Sequence, residues 1–364
     1  MPLRGELNAE ILSWLTPTSL RNINQARKTR GLGHPDDIIE SMVASLESPT
    51  FDYEVLLADW ENRFIEGGPR AEHYHRLYAW LGQVVSTILF RRQVSNRDAF
   101  RSGLSYYSGI VRLARKNLPL WIFSLNHDLL VECVAAHLGI PLQCGFTNRM
   151  VALPCRRGGG RIIAIQQANL LGEFEMVEGQ LPFHRVGELG INLLKLRGSL
   201  DVFGHGERNE LIKLKPADET FDAIIDALQI ANEGLLDEAR VPDPSLAQNQ
   251  IPYVDEQGNL QVLRRTLLAS ATRFGEPFPR LQQRRFLEYF RANLSRVSRL
   301  VAIGYGMGDE DVNEILTDWL SGKGSRRLEI VGPCADNIPA FLAGHTGQTI
   351  LTPSSTTTYL EKIR

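Results

Sequence analysis

Cysteine is scarce: four in 364 residues, at Cys133, Cys144, Cys155 and Cys334, with no C-x-x-C pair among them. That spacing excludes a zinc ribbon, and so few thiols in so long a chain exclude a disulfide framework. All four are expected to be reduced, with Cys133 on a core-facing helix stripe. Long hydrophobic runs are also lacking; none approaches the roughly 18 residues that span a bilayer. The start, Met1-Pro2-Leu3-Arg4-Gly5-Glu6-Leu7, has no signal-peptide pattern, so a cytoplasmic protein without membrane contact is expected. Nor does one sign of charge dominate. Forty basic residues against 42 acidic ones give a net charge of −2, which leaves no whole-chain footprint for nucleic acid. There is no internal repeat and no long low-complexity tract.

What is present is apolar material for a large core, 43% of the chain. The first third is patterned as helix. Leu7, Ile11 and Leu15 recur at helical spacing, and Leu77, Leu81, Val84, Val85 and Ile88 form a stripe. Residues 97–116 give a third amphipathic segment, and 25–35 reads as an exposed loop. The period then changes. Leu118 to Phe123 is a short apolar run of the kind buried on both faces of a parallel sheet. A helix bearing Leu130, Cys133, Val134 and His137 follows and stops at Gly139. Further strands are predicted at Ile191–Leu196, Leu300–Ile303 and Leu328–Val331, with helices on either side of Leu300–Ile303. This predicts an α/β fold with a doubly wound, mostly parallel, Rossmann-like sheet. A single domain over 1–364 is expected, mainly helical over 1–116 and with a sheet core over 117–364. Residues 146–190, which suggest a hairpin, and 204–280, which carry a helix near 218–236 and a Pro/Asn/Gln-rich stretch at Val241–Gln250, are expected as insertions into that core.

In open parallel sheets ligands sit beyond the carboxyl ends of the strands. Three such ends carry small and polar residues: Ser124-Leu125-Asn126-His127-Asp128, Arg197-Gly198-Ser199, and Gly304-Tyr305-Gly306-Met307-Gly308-Asp309. Such residues let backbone N–H groups approach a ligand and leave donors free at helix starts. Each has a plainer reading. Asp128 and Asp309 are suitably placed to cap helices, and the glycines suit turns. His73 and His75, two apart on a helix, share no face and cannot hold a metal together, so no metal site is expected. The arginines at 280, 284, 285, 291, 296 and 299 suit a solvated, ion-paired face. Gly158-Gly159-Gly160 precedes a strand, not a helix, which is the wrong context for a phosphate loop.

Taken together, the three endings resemble bacterial sirtuin-like proteins. Ile122 to Asp128 followed by Leu129-Leu130-Val131-Glu132 is similar to their strand, T-x-N-Y-D, L-L-x-E segment. Lys195-Leu196-Arg197-Gly198-Ser199-Leu200 is similar to K-L-H-G-S-L. Val301 to Asp309 with Asn313 is similar to V-I-G-Y-S-x-x-D-x-x-x-N. The resemblance covers about residues 118–332 in patches. It implies NAD as substrate or ligand, cleavage of NAD to nicotinamide and ADP-ribose, and a place in anti-phage defence. It further implies self-assembly into a homo-oligomer, or assembly with an ATPase of the translocase type. Asn126 would contact the nicotinamide ribose and orient the attacking water. Ser124, Asp128, Gly198, Ser199, Gly304, Tyr305 and Gly306 would line the cofactor, with Gly304 under the dinucleotide.

Two departures stand out. The family opens on a strand and a G-A-G-x-S turn around the pyrophosphate. This chain starts with residues like those just after that turn, so loss of the first βα unit or a misplaced start codon is expected. The base histidine is replaced by Arg197, whose guanidinium has no acceptor and a pKa above about 12. A rescue by His205 or His184, or a binding role in which Arg197 pairs with a phosphate or with Asp128, are the alternatives. A catalytically inactive binding or scaffold subunit is therefore weighed against an active NAD hydrolase.

Overall fold

The computed structural model describes residues 4–157, 161–206, 210–235, 249–266 and 277–363. Gly158-Gly159-Gly160 and residues 241–248 of the Pro/Asn/Gln-rich stretch lie outside them. Helices come first: α1 (Arg4–Trp14), α2 (Pro17–Lys28), α3 (Asp36–Leu46), α4 (Tyr53–Glu66), α5 (Ala71–Ser95), α6 (Arg97–Gly103), a 3-10 turn (Leu104–Tyr107) and α7 (Gly109–Lys116). The segment 97–116 is thus two short helices joined by a tight turn rather than one. Of the stripe expected on α5, Leu77, Leu81, Val85 and Ile88 are buried and Val84 is half-buried, and Leu89 is buried beside them. The loop expected at 25–35 is different: α2 runs through Lys28, and His34 is only 4% exposed. Its backbone N–H and carbonyl are both bound by the side chain of Asn24, at 2.8 and 3.1 Å. That pairing satisfies the buried backbone polar groups that a sequence pattern would leave to solvent.

The remainder mixes strands and helices: β1 (Leu120–Ser124), α8 (Leu130–Leu138), β2 (Leu142–Gln143), β3 (Met150–Arg157), β4 (Arg161–Leu171), α9 (Glu173–Glu178), β5 (Ile191–Lys195), β6 (Val202–His205), β7 (Glu210–Lys215) and α10 (Phe221–Gly234). Then follow β8 (Gln250–Val254), β9 (Leu260–Arg265), α11 (Pro277–Leu294), β10 (Arg299–Ile303), α12 (Glu310–Gly322), β11 (Arg327–Gly332), β12 (Thr349–Pro353) and α13 (Thr356–Ile363). The molecule is mixed α/β with parallel strands, as expected, but one continuous doubly wound sheet does not form. The parallel strands make two three-stranded sheets, ordered β1-β5-β2 and β10-β11-β12. The largest sheet is antiparallel, with six strands ordered β3-β4-β7-β6-β9-β8.

That third sheet draws strands from both 146–190 and 204–280, the two stretches expected as insertions. β3 and β4 come from the first stretch, and β7 to β9 from the second, while β6 begins just before it. The two stretches meet where β4 pairs antiparallel with β7, from Gln167↔Lys215 to Leu171↔Leu211. Local patterning carries no information on partners so distant in sequence. Both edge strands hold a proline inside the pairing, Pro154 in β3 and Pro252 in β8. Proline lacks the N–H a further strand would need, so each edge is blunted against added pairing.

Burial differs among the parallel strands. β5 is the central strand of its sheet, and Ile191, Asn192, Leu193 and Leu194 are all buried. β1 and β10 are half-buried along most of their length rather than enclosed on both faces, because each lies at an edge of its sheet. Cys133 is fully buried on α8, and all four cysteines are free thiols. Among the described residues no helix is long and apolar enough to cross a membrane.

Candidate functional site

The ends of β1 and β5 lie side by side. Ser124 is in register with Lys195, and the Leu196 N–H donates to the Ser124 carbonyl at 2.9 Å. The third ending is joined to them through a side chain. Arg197 donates from Nε and Nη2 to the two oxygens of Asp309 at 2.7 and 2.5 Å, and from Nη2 to Asp311 at 2.9 Å. Asp309 also accepts from the Val312 N–H at 3.1 Å, so it caps α12 while holding the arginine. The three motifs therefore converge. Arg197 faces neither Asp128 nor open space; it is a clasp between the β1-β5-β2 sheet and the start of α12.

The other expected residues divide into two groups. Gly198 and Ser199 are enclosed in protein. Gly198 has φ +89°, and a Cβ there would stand 1.8 Å from the Thr266 carbonyl oxygen, so only glycine fits. Ser199 Oγ donates to Asp201 at 2.6 Å. Tyr305 is turned inward: its hydroxyl accepts from the Asp309 N–H at 3.1 Å and lies 2.8 Å from Asn313 Oδ1. By contrast, Asn126, Gly304 and Gly306 are exposed. Gly304 has φ +65° with open space beside it, and the Asn126 N–H is held by Ser124 Oγ at 3.1 Å.

Neither alternative histidine reaches these residues. His205 lies on β6 with Nε2 3.1 Å from the Tyr253 hydroxyl. His184 has its backbone N–H on the Asn192 side chain at 2.8 Å, at the opposite end of β5 from Arg197. A third histidine, next to Asn126, was not singled out by the sequence. His127 has Nδ1 3.4 Å from the Gly198 carbonyl. Burial, with lesser effects from Lys195 and Arg197, pushes its pKa down to about 4, which leaves the ring neutral at pH 7.

Behind the strand ends lies a buried ionic network. Glu132 of α8 is 3.2 Å from both Lys195 and Lys213, and Lys213 pairs in turn with Asp201. Burial alone would raise the Asp201 pKa, but Lys213 and Lys195 overcome it and hold the carboxyl below its ordinary value. Lys195 also donates to the Asp128 backbone carbonyl. The network thereby ties β5 and β7 to the first turn after β1. A void of about 20 Å³ adjoins it between Cys144, Lys195, Lys213 and Phe286, enough for one water. Burial pushes the Cys144 thiol up to about 12, so it is not a nucleophile.

A much larger cavity, about 440 Å³, opens on the other side of Asp128, within the range of small-molecule sites. Its walls are Glu6 of α1, Leu89, Arg92 and Gln93 of α5, Asn96, Phe100 of α6, Tyr106 and Tyr107 of the 3-10 turn, Asp128, Leu130 and Thr357 of α13. Gln93 accepts the Leu129 N–H at 3.1 Å and so braces the start of α8. Asp128 accepts the Leu130 N–H on Oδ1 at 2.9 Å, while its buried Oδ2 has no partner among the described residues. Of the residues expected to line a ligand, Asp128 is the one that this cavity contains. The α5 and α6 residues were missed because Arg92, Gln93 and Asn96 look like an ordinary solvated helix face. The usable signal was their helical spacing from Leu89, which continues the buried stripe of α5.

Of the six arginines clustered near 290, four are ion-paired: Arg284 and Arg285 with Glu288, Arg291 with Glu314 and Asp318, Arg299 with Glu329; the Arg280 side chain lies outside the described residues. Among the described residues no group of three or more His, Cys, Asp or Glu side chains could hold a metal ion. No protein-family model matches this chain, and no curated protein matches it in sequence.

Proposed function

We propose that this chain is a sirtuin-like, Rossmann-like NAD-binding protein in which cleavage of NAD is strongly impaired. The observation that carries this reading is the convergence of the three motif-bearing strand ends, with Asp128 of the first lining a large cavity. An exposed Asn126, an open glycine turn at Gly304 and Gly306, and a buried carboxylate oxygen without a partner suit a dinucleotide lying across the strand ends with one end in the cavity. Hydrolysis would break the bond between C1′ of the ribose and the nicotinamide nitrogen, with the bonding pair leaving on the nicotinamide. Water would add to C1′ and give up a proton. Arg197 cannot take that proton, since it is cationic and occupied by Asp309 and Asp311. A scaffold or sensor role in anti-phage defence, in a homo-oligomer or beside an ATPase of the translocase type, accords with a site that binds without turnover.

One feature favours residual hydrolysis: His127, whose pKa burial lowers to about 4, adjoins Asn126. Its low basicity makes it a poor proton acceptor near neutrality. Calorimetric titration with NAD and a nicotinamide-release assay test the two readings together. Binding in the micromolar range with release at background is the expected result. Sustained release, abolished by Asn126→Ala and reduced by His127→Gln, would replace it with the hydrolase reading. No heat of binding and no release would refute both.

A further inference from the structure

We infer that the open edges of β1 and β10 bound a slot that takes one extended strand of a partner polypeptide, parallel to both and apolar on both faces. The inference concerns assembly and stands apart from the NAD reading.

In a parallel ladder the N–H and C=O of one residue point to the same neighbouring strand, and those of the next residue point the other way. The Leu120 N–H donates to the Gly190 carbonyl, and the Ser124 carbonyl accepts from the Leu196 N–H, both at 2.9 Å. Leu120, Ile122 and Ser124 therefore face β5, and the backbone groups of Trp121 and Phe123 point away from it. The Gly304 N–H donates to the Val331 carbonyl, and the Ser298 carbonyl accepts from the Arg327 N–H, again at 2.9 Å. Leu300 and Ala302 thus face β11, and Val301 and Ile303 point away. Among the described residues no strand pairs with either free edge.

The two parallel sheets lie in one layer. Arg197 after β5 meets Asp309 after β10, so their carboxyl ends are on the same side. Leu120 and Ile122 share one apolar cluster with Val301 and Ile303, while Phe123 shares the other with Leu300 and Ala302. Helices bridge both faces. Tyr289 and Phe290 of α11 pack on Trp121 and Phe123, with ring centroids 6.0 and 4.6 Å apart, just before the chain enters β10. On the other face α7, in contact with β1, packs on α13, in contact with β11. The free edges therefore face each other beneath these helices. Unpaired backbone groups in such a place call for partners. The edge strands of the antiparallel sheet carry prolines, but β1 and β10 have none, so nothing in them blocks pairing. A strand between them would send alternate side chains into the two clusters, so it must be apolar throughout. A second copy has no such strand to give, since β1, β5, β10 and β11 are each held in a ladder of their own sheet.

The test uses the full chain and a synthetic peptide that copies Arg299–Gly304, flanked by lysines for solubility, with amide hydrogen exchange read residue by residue. In the free chain the amides of Trp121, Phe123, Val301 and Ile303 should exchange at least about tenfold faster than those of Ile122 and Ala302. The peptide should slow those four by at least about tenfold. A peptide carrying Ala302→Pro lacks an N–H that one of the two ladders needs, and one carrying Val301→Asp puts a charge into an apolar cluster. Neither should slow exchange. Four amides as protected as their neighbours in the free chain, no slowing by the parent peptide, or equal slowing by the aspartate peptide overturns the inference.

Discussion

Arg197→Met should lower the unfolding free energy by about 3 kcal/mol, the scale seen when one partner of a buried ion pair is removed. Methionine keeps most of the length and none of the charge. It would leave Asp309 with the Val312 N–H as its remaining bond and Asp311 with solvent. The loss falls at the lower end of that scale because the Asp311 side chain is 44% exposed and its share is screened. Arg197→Lys should recover part of the loss, since an ammonium can meet one carboxylate well but cannot reproduce the two-pronged contact with Asp309. Arg197→His is the informative functional variant. The imidazole would stand between Asp309 and Asp311, which favour its protonated form. No base is regained, and nicotinamide release should stay at background unless the two carboxylates are also neutralised. Denaturant midpoints measure the first two effects. A methionine variant as stable as the parent would remove the clasp from the account of this site.

Arg197 also shows how far the sequence could be followed. The sequence placed it at the tip of a strand, beside a second strand end, and the register Ser124↔Lys195 bears that out. Its partner was beyond reach, because the choice between a phosphate, Asp128 and Asp309 depends on how two sheets are set against each other. The strands β1, β5, β10 and β11 were legible since each is a short apolar run ended by a turn residue. The βαβ unit β10-α12-β11 was legible too, and its strands pair in parallel from Arg299↔Arg327 to Ile303↔Val331. The six-stranded antiparallel sheet was not, as its pairings link segments that have no local signal in common. The cavity was half-legible. Asp128 belonged to a motif, but Arg92, Gln93 and Tyr107 come from helices whose polar residues look like ordinary surface. His34 was misread for a related reason. Its neighbours Arg30, Gly31, Gly33 and Pro35 mark a loop correctly, but loop composition does not reveal that Asn24 anchors that loop inside the helical region.

That buried loop and the strand-end histidine together predict marked sensitivity to mild acid. Burial, with a smaller push from His73, Arg27 and Arg76, lowers the His34 pKa to about 4, and burial lowers that of His127 to about 4 as well. In the unfolded chain both rings titrate near about 6.5. Between those limits the unfolded state binds more protons than the folded one, so stability rises with pH there and is lost as pH falls. Near pH 5 each histidine should cost about 2 kcal/mol relative to neutral pH, or about 4 kcal/mol together. The carboxylates act in a separate window. Asp201, held below its ordinary value by Lys213 and Lys195 against burial, surrenders its contribution only as pH falls below the usual carboxylate range. Chemical denaturation at pH 7.5 and near pH 5 measures the histidine effect directly. His127→Gln, which keeps a donor for the Gly198 carbonyl, and His34→Gln should each flatten a large share of the slope, with a smaller remainder from His73 and His205, whose pKa values burial also lowers. A stability that stays level from pH 7.5 to near pH 5 would mean that the two imidazoles are open to protonation in the folded state. His127 would then be cationic in mild acid and unable to serve as a proton acceptor beside Asn126.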